Sequence, residues 1–240
     1  METALTEDAL LGGRVRLLQP SRGYRVAVDA VLLAAAVEAA PGECVLDLGA
    51  GVGAVGLCIA ARVPGCSIVG VELQSELAAL AARNATLNGV DNLMRTIVHD
   101  LAHPLPPDLA NFDHVATNPP YLAAAVADPS PNRGKALATV ESSADLARWL
   151  AVATGALKPT GTLTAIHRSD RVEEIVDRLA SLGWGNVTVK RLPPAGRILV
   201  RARSGARAQH ESQPLLLHPP QGGYTDQAEA ILRHAQPLAF

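Results

Sequence analysis

The sequence predicts an α/β fold in which helices cover both faces of a mostly parallel sheet. Apolar β-type runs alternate along the chain with helical patterns, as they do in βαβ crossovers. The last two β-type runs are separated only by residues 193–197, too few for a parallel crossover, so we expect an antiparallel hairpin. Apolar residues make up 48% of the chain and charged residues 18%, which excludes disorder as the dominant state.

The apolar runs predict seven strands, at residues 44–48, 67–72, 94–99, 112–117, 162–167, 187–192 and 198–202. The helical patterns cover residues 29–40, 54–62, 75–88, 142–157 and 171–182. Asp29 and Ser75 are the predicted N-caps of the first and third helices, and Pro41-Gly42 ends the first helix. A short edge strand over residues 214–218 and a last helix over 224–235 complete the predicted elements.

The length of 240 residues suits one domain. We expect an N-terminal leader and helix over residues 1–40, a core over 41–204, and a C-terminal extension of the same domain over 205–240. The first residues have neither the basic nor the apolar region of a signal peptide, and no run approaches a membrane span of roughly 20 apolar residues. Three cysteines without a C-x-x-C pair predict a reduced, cytoplasmic protein with no metal site.

The net charge of −2 excludes a chain that is basic over its whole surface. Residues 181–240 nevertheless hold seven Lys/Arg against three Asp/Glu, a balance of +4, which leaves −6 for the first 180 residues. A basic C-terminal quarter on an acidic body indicates a local surface for a polyanion. A solvated strand edge with charged side chains is the alternative interpretation.

A glycine-rich loop follows the first strand of the predicted core, in the sequence VLDLGAGVG at residues 45–53. Its glycines allow a sharp turn and a close approach of ligand to backbone, at the strand end where ligands bind in such sheets. Gly51-x-Gly53-x-x-Gly56 also fits the dinucleotide fingerprint. Glu72 ends the next strand, where a carboxylate can accept hydrogen bonds from both ribose hydroxyls of NAD or of S-adenosylmethionine.

The segment Asn118-Pro119-Pro120-Tyr121 follows the fourth strand, at the same end of the sheet. The two prolines fix the backbone. The Asn118 side chain and the Pro119 carbonyl then offer two fixed acceptors to an –NH2 group, which would align its lone pair towards an electrophilic methyl. Tyr121 would supply a planar face for the base or amide that carries the amine. A rigid turn with an incidental aromatic residue is the structural alternative.

Together these segments resemble class I S-adenosylmethionine-dependent methyltransferases that act on planar amino groups. Residues 118–121 look like motif IV of that family, residues 47–53 are similar to motif I, and Glu72 matches the ribose-binding acid of motif II. The resemblance implies a Rossmann-like fold whose seven-stranded, mostly parallel sheet has an antiparallel last strand. It also implies that Asp100 meets the adenine amine, with Leu73 and Leu101 beside the adenine ring. The cofactor residues implied are Asp47, Gly49, Ala50, Gly51, Gly53, Glu72, Leu73, Asp100, Leu101 and Asn118, and the catalytic residues are Asn118, Pro119, Pro120 and Tyr121.

The resemblance extends towards both ends of the chain. Residues 23–33 (GYRVAVDAVLL) and the tail over 205–224 are similar to bacterial tRNA adenine methyltransferases that modify an exocyclic amine beside the anticodon of a valine tRNA. This implies methyl transfer to an adenine of RNA, with S-adenosylhomocysteine as the second product. The residues expected to contact RNA are Tyr24, Arg25, Arg133, Lys135 and Arg197, with Arg201 and Arg203 as further phosphate contacts.

Other functions remain open at this point. Protein glutamine methyltransferases share the Asn-Pro-Pro-Tyr segment but carry a helical domain in front of motif I, for which the 46 residues before Asp47 leave no room. A small aminated metabolite is a further possible acceptor. The dinucleotide fingerprint leaves an NAD-dependent oxidoreductase, without a recognisable Tyr-Lys pair, and a non-catalytic binding module as distant alternatives. The histidines His99, His103, His114 and His167 have no ligand spacing and are expected to be surface or core residues.

Overall fold

The structure of the protein, a computed structural model, describes residues 4–23, 25–121, 144–205 and 208–240. The strands are β1 (Leu5–Leu10), β2 (Val15–Pro20), β3 (Cys44–Leu48), β4 (Ser67–Glu72), β5 (Met94–Val98), β6 (Phe112–Thr117), β7 (Leu157–Arg168), β8 (Asn186–Leu192), β9 (Arg197–Arg203) and β10 (Ala208–Glu211). The helices are α1 (Val28–Ala36), α2 (Ala54–Arg62), α3 (Ser75–Leu87), α4 (Leu146–Ala156), α5 (Val172–Ser181) and α6 (Asp226–His234). Across these four stretches, no helix has the length and apolar character needed to span a membrane.

Within the described residues, eight strands form the main sheet, in the order β10-β8-β9-β7-β6-β3-β4-β5. Five adjacent strands, β5, β4, β3, β6 and β7, run parallel to one another. Strand β9 is antiparallel to both of its neighbours, β7 and β8. The predicted hairpin of β8 and β9 is therefore confirmed. Strand order reverses between β3 and β6, and the crevice at the carboxyl ends of such strands is where open α/β sheets bind ligands.

The helices divide the core into two layers, one on each face of the sheet. Alternate residues of β3 point to opposite faces: Val45 packs in the layer that contains α1, α2 and α6, whereas Leu46 and Leu48 pack in the layer that contains α4 and α5. All three β3 side chains are fully buried. Burial on both faces explains why the strand reads as a continuous apolar run in the sequence.

Three predicted helix boundaries are wrong. Helix α1 ends at Ala36, because Val37 is already extended, and so Pro41-Gly42 does not terminate it. The N-cap of α1 is Ala27, and the Asp29 side chain makes contacts outside the helix instead of capping it. At α3 the N-cap is Gln74, and the Ser75 hydroxyl donates to the Glu76 carboxylate instead.

The C-terminal edge strand lies earlier than predicted. The sheet edge is β10, which pairs parallel to β8, while residues 214–218 form no strand. Leu215 and Leu217 are nonetheless buried and donate single backbone hydrogen bonds to Arg191 and Pro193, so their alternation mimics a strand. The predicted last helix is confirmed as α6, and the Thr225 side chain caps it by accepting from the Ala228 amide.

A hairpin of β1 and β2, which the sequence analysis did not predict, packs against α3. The fully buried Asn84 side chain pairs with both backbone groups of Leu18, accepting from its N–H at 2.8 Å and donating to its carbonyl at 2.9 Å. Its amide also donates to the Val52 carbonyl, in the glycine loop, at 2.9 Å. Asn88, one helical turn later, pairs in the same way with Arg16. The two asparagines thus replace a neighbouring strand along the free edge of β2.

Replacing Asn84 with alanine should lower the free energy of unfolding by about 1–3 kcal/mol, because it leaves the partly buried peptide groups of Leu18 and the buried carbonyl of Val52 unpaired. Asn88→Ala is the matched control. We expect it to lower the free energy of unfolding less, because Asn88 is partly exposed and water can replace the lost hydrogen bonds. Urea denaturation of the two variants measures the difference. Equal losses would show that Asn84 does not have this special role.

Candidate active site

A cleft opens at the carboxyl ends of β3, β4, β5 and β6, where the strand order reverses. The space between its walls is about 1100 Å³ when the open solvent at its mouth is included. The predicted cofactor residues that line it are Gly49, Ala50, Gly51, Glu72, Leu73, Asp100, Leu101 and Asn118. Asp47 and Gly53 lie outside the cleft wall, in the strand and loop that support it.

Gly49, Gly51 and Gly53 of the loop all have positive φ, a conformation that favours glycine. The space around each of them differs. A Cβ atom at Gly49 would lie 2.6 Å from the Trp149 ring, and one at Gly53 would lie 2.7 Å from the Met94 methyl group. A Cβ at Gly51 would meet no described atom within 4 Å. The Trp149 ring therefore excludes a side chain at Gly49 and the positive φ favours glycine at Gly53, whereas Gly51 leaves its backbone open to a ligand.

Glu72 holds the loop and the start of α3 together. One carboxylate oxygen accepts from the Gly51 amide at 2.8 Å, and the other accepts from the Gln74 amide at 2.9 Å. Burial raises the pKa of Glu72, although bonds from the backbone at Gln74, Gly51 and Leu73 act in the opposite direction. Because each carboxylate oxygen can accept more than one hydrogen bond, Glu72 can still accept from a ligand hydroxyl.

Asp47 is a buried carboxyl group directly before the loop. Burial, followed by the negative charge of Glu72, raises its pKa to about 7, and the Gly56 amide opposes that shift. Its Oδ2 atom has no hydrogen-bond partner among the described residues. A buried acceptor without a partner is unfavourable, so this site favours a ligand that brings a donor or a positive charge.

Two leucines give the cleft an apolar part beside the acids. Leu73 is 39% exposed and follows Glu72, while the buried Leu101 follows Asp100. The Asp100 carboxylate accepts from the Ala102 amide at 2.9 Å and orders the turn after β5. Two apolar side chains next to carboxylates suit a flat heterocycle that carries hydrogen-bond donors.

In the segment at residues 118–121, Asn118 and Pro120 line the cleft, whereas Pro119 and Tyr121 do not. The Oδ1 atom of Asn118 is buried and has no partner in the described part of the chain. The Tyr121 hydroxyl donates to Asp29 at 2.6 Å, and the Arg197 guanidinium lies 4.5 Å from the centre of its ring. The residue that carries the predicted acceptor thus lines the cleft, while one face of the predicted stacking ring is covered by arginine.

The predicted RNA contacts fall into two groups. Tyr24, Arg133 and Lys135 lie outside the described residues. Arg25 pairs with Asp8 at 2.7 Å and donates to the Thr6 hydroxyl at 2.8 Å, so in this structure it anchors the leader to the hairpin. Arg197 pairs with Asp29 at 3.0 Å.

The expected phosphate contact of Arg201 is wrong. Arg201 is buried, because its guanidinium bonds Glu38 and the Ala36 carbonyl and lies 4.0 Å from the centre of the Phe240 ring. Arg203 shares the Glu38 carboxylate and remains partly exposed.

The cleft wall also contains residues that the sequence does not predict, among them Gln19, His99 and Trp149. Gln19 is buried at the end of β2, where its amide donates to Asp8 and its oxygen accepts from the Val26 N–H. His99 stands next to Asp100 at a strand end, a position that could have identified it. Trp149 fills the space left by Gly49 from a helix far along the chain, and this contact has no local signal.

The fold and the cleft define a class I methyltransferase. The model of the methyltransferase small domain family matches residues 25–176, and the chain belongs to that family. A tRNA1(Val) (adenine(37)-N6)-methyltransferase of Pedobacter heparinus is 26% identical over 221 residues, which cover 90% of this chain and 92% of the relative. A release factor glutamine methyltransferase of Deinococcus radiodurans is 32% identical over 148 residues, covering 58% and 51%.

A crystal structure described as a predicted O-methyltransferase from Agrobacterium tumefaciens is similar in fold, with a TM-score of 0.68 and 25% identity. It covers 88% of this chain and 98% of that one. The expected Rossmann-like methyltransferase fold and the expected enzyme class are confirmed.

The raised pKa of Asp47 gives the ligand-free protein a defined pH dependence. The folded state keeps a proton that the unfolded chain, with a pKa of about 3.9, releases. The free energy of unfolding should therefore fall as the pH rises from about 4 to about 7. Asp47→Asn should remove the part of this decrease in the free energy of unfolding that Asp47 causes. Asp91→Asn, a substitution at an exposed position, should keep the wild-type dependence of the free energy on pH. Urea denaturation across that range measures the slopes, and a wild-type slope in Asp47→Asn would contradict the assignment.

Proposed function

We propose that the protein transfers a methyl group from S-adenosylmethionine to the exocyclic amine of an adenine in tRNA. The observation that carries the proposal is Asn118, which lines the cleft and whose side-chain oxygen is a buried acceptor with no described partner. The family match and the similarity to tRNA adenine methyltransferases over nine-tenths of this chain support it.

The residues of the cleft fit that cofactor. Glu72 would accept from the ribose hydroxyls, Leu73 and Leu101 would contact the adenine ring, and Asp100 would accept from its amine. The open backbone at Gly51 leaves room for the rest of the ligand. The unpartnered Oδ2 of Asp47 lies behind the cleft wall and would meet the donors of an amino acid moiety through water. When bound, S-adenosylmethionine supplies a methyl group on a positively charged sulfur and is converted to S-adenosylhomocysteine.

The chain itself positions the acceptor amine. The Asn118 oxygen accepts one N–H of the amine and the Pro119 carbonyl accepts the other, which orients the nitrogen lone pair. Both oxygens carry partial negative charge and stabilise the positive charge that develops on the nitrogen. Burial of the Asn118 oxygen strengthens this interaction by excluding water. The nitrogen loses its extra proton after it has been methylated, so a strong general base is not required.

A protein glutamine is the second candidate acceptor, because its amide has the same two donors. The comparisons favour tRNA, since the match to the release factor enzyme covers only 51% of that relative, against 92% of the tRNA enzyme. A tRNA partner also agrees with the basic C-terminal quarter of the chain. The cytoplasmic location expected from the sequence stays a prediction.

Incubation of the purified protein with labelled S-adenosylmethionine and either total tRNA or total protein, both from a strain that lacks this gene, tests the proposal. We expect label in tRNA and N6-methyladenosine after nuclease digestion. Label in protein alone would replace tRNA with a glutamine acceptor. Bound cofactor without label in either fraction would contradict both assignments.

Replacing Asn118 with alanine should lower kcat by about 10²–10³-fold, the loss typical of removing one such charge-stabilising group. The Kd for S-adenosylhomocysteine, measured by calorimetry, should stay within about threefold of wild type, because Glu72 and the leucines remain. Asn92→Ala, at an exposed asparagine, is the control and should leave both quantities unchanged. Near-normal kcat in Asn118→Ala would remove the role assigned to Asn118.

A further inference from the structure

Tyr121 is held by side chains from three distant parts of the chain. Its hydroxyl donates to the Asp29 carboxylate of α1 at 2.6 Å, and the same carboxylate oxygen accepts from Arg197 of β9 at 3.0 Å. The Arg197 guanidinium also lies over the Tyr121 ring, 4.5 Å from its centre. His167 of β7 meets the ring edge-on, with centroids 5.2 Å apart and planes at 78°. We call Asp29 and Arg197 the Tyr121 clamp.

The clamp is largely shielded from water, which makes its contacts strong. The Asp29 side chain is 13% exposed and the Arg197 side chain 27%. Charge-assisted hydrogen bonds and a cation over an aromatic face both gain strength when they are desolvated. His167 is buried and neutral near pH 7, because burial lowers its pKa to about 4, so it adds an uncharged wall.

The segment at residues 118–121 needs support at its far end. Since the Asn118 oxygen has no partner among the described residues, no described side chain or amide orients it through that atom. Its direction must then come from the backbone of the segment. That backbone is fixed at one end by the pairing of β6 with β3 and β7, and two prolines stiffen its middle. The clamp holds the other end, at Tyr121.

We propose that Asp29 and Arg197 are positioning residues, which hold Tyr121 and thereby aim the Asn118 oxygen and the Pro119 carbonyl at the acceptor amine. The inference rests on the proposed function, since it concerns the same site. Asp29 acts through the Tyr121 hydroxyl, and Arg197 acts through Asp29 and the ring. A misplacement of about 1 Å in such an acceptor can lower a rate by about 10²-fold.

The chain contains a matched control for the clamp. Glu38, which follows α1, bonds Arg201 and Arg203 near the other end of β9. This is the same kind of contact, a carboxylate from the α1 region paired with β9 arginines, but it lies away from Tyr121. Loss of Glu38 should therefore reproduce any general weakening of the packing of α1 on the sheet without disturbing residues 118–121.

The test compares five variants: Asp29→Ala, Asp29→Asn, Tyr121→Phe, the double variant Asp29→Ala/Tyr121→Phe, and Glu38→Ala. For each variant, kcat and KM are measured on tRNA, together with the Kd for S-adenosylhomocysteine and the thermal midpoint.

Asp29→Ala and Tyr121→Phe should each lower kcat at least tenfold, while the Kd for S-adenosylhomocysteine stays within threefold of the wild-type value. The double variant should be no worse than the poorer single variant. Asp29→Asn should be intermediate, because its amide oxygen can still accept from Tyr121. Glu38→Ala should keep wild-type kcat.

Three results would overturn the clamp: losses in kcat that multiply in the double variant, an effect of Asp29→Ala on the Kd alone, or an equal loss of kcat in Glu38→Ala.

A second readout does not depend on activity. The ¹⁵N NMR signals of the Asn118 side-chain amide should shift or broaden in Asp29→Ala and Tyr121→Phe but not in Glu38→Ala. Unmoved signals in Asp29→Ala would overturn the clamp whatever the substrate. Responsive signals in a protein that does not methylate tRNA would overturn only the proposed function.

Discussion

The hydrogen bonds of Glu72 are the constraint on which the rest of the site depends. A single buried carboxylate accepts from Gly51, in the loop after β3, and from Gln74, at the N-cap of α3. The loop is thereby fixed relative to the next strand, and its open glycine faces the cleft. In the proposed function the same carboxylate would also accept from the cofactor ribose. Formation of the loop and recognition of the ligand would then be two uses of one side chain.

The other parts of the site follow from the direction of the strands. Because β3, β4, β5 and β6 are parallel, Asp47, Glu72, Asp100 and Asn118 are brought to one edge of the sheet although 71 residues separate the first from the last. The hairpin closes this edge on one side with Gln19, and α4 closes it on the other with Trp149. The enclosed space leaves the Asp47 and Asn118 oxygens buried without described partners, a cost in folding that a ligand can offset.

The sequence was sufficient to predict what local patterns encode. Strand periodicity, the glycine loop and the acids at strand ends are all visible within a few residues, and the short link after β8 predicts the antiparallel strand. The β1–β2 hairpin was missed because the side chains of β1 that face its partners, Thr6 and Asp8, are polar and bond Arg25 and Gln19. An inward face of this kind leaves no apolar alternation to detect.

Contacts between residues distant in sequence account for the remaining errors. The position of Asp29 at the start of a helix predicts a cap, because acids are favoured there. Its actual partners lie 92 and 168 residues away. The sequence alone predicts that Arg201 is a surface cation, but Glu38 and Phe240 bury it. Charge along the chain therefore overestimated the arginine available to RNA.

The central claim is that the cleft brings a cofactor and an adenine amine together at Asn118. A crystal structure of the protein with S-adenosylhomocysteine and adenosine 5′-monophosphate tests it most directly. The account predicts the cofactor ribose on Glu72 and the exocyclic nitrogen of the nucleotide within hydrogen-bonding distance of the Asn118 oxygen. The account would be contradicted if S-adenosylhomocysteine were well defined in the cleft but the nucleotide were bound elsewhere, with no contact to Asn118.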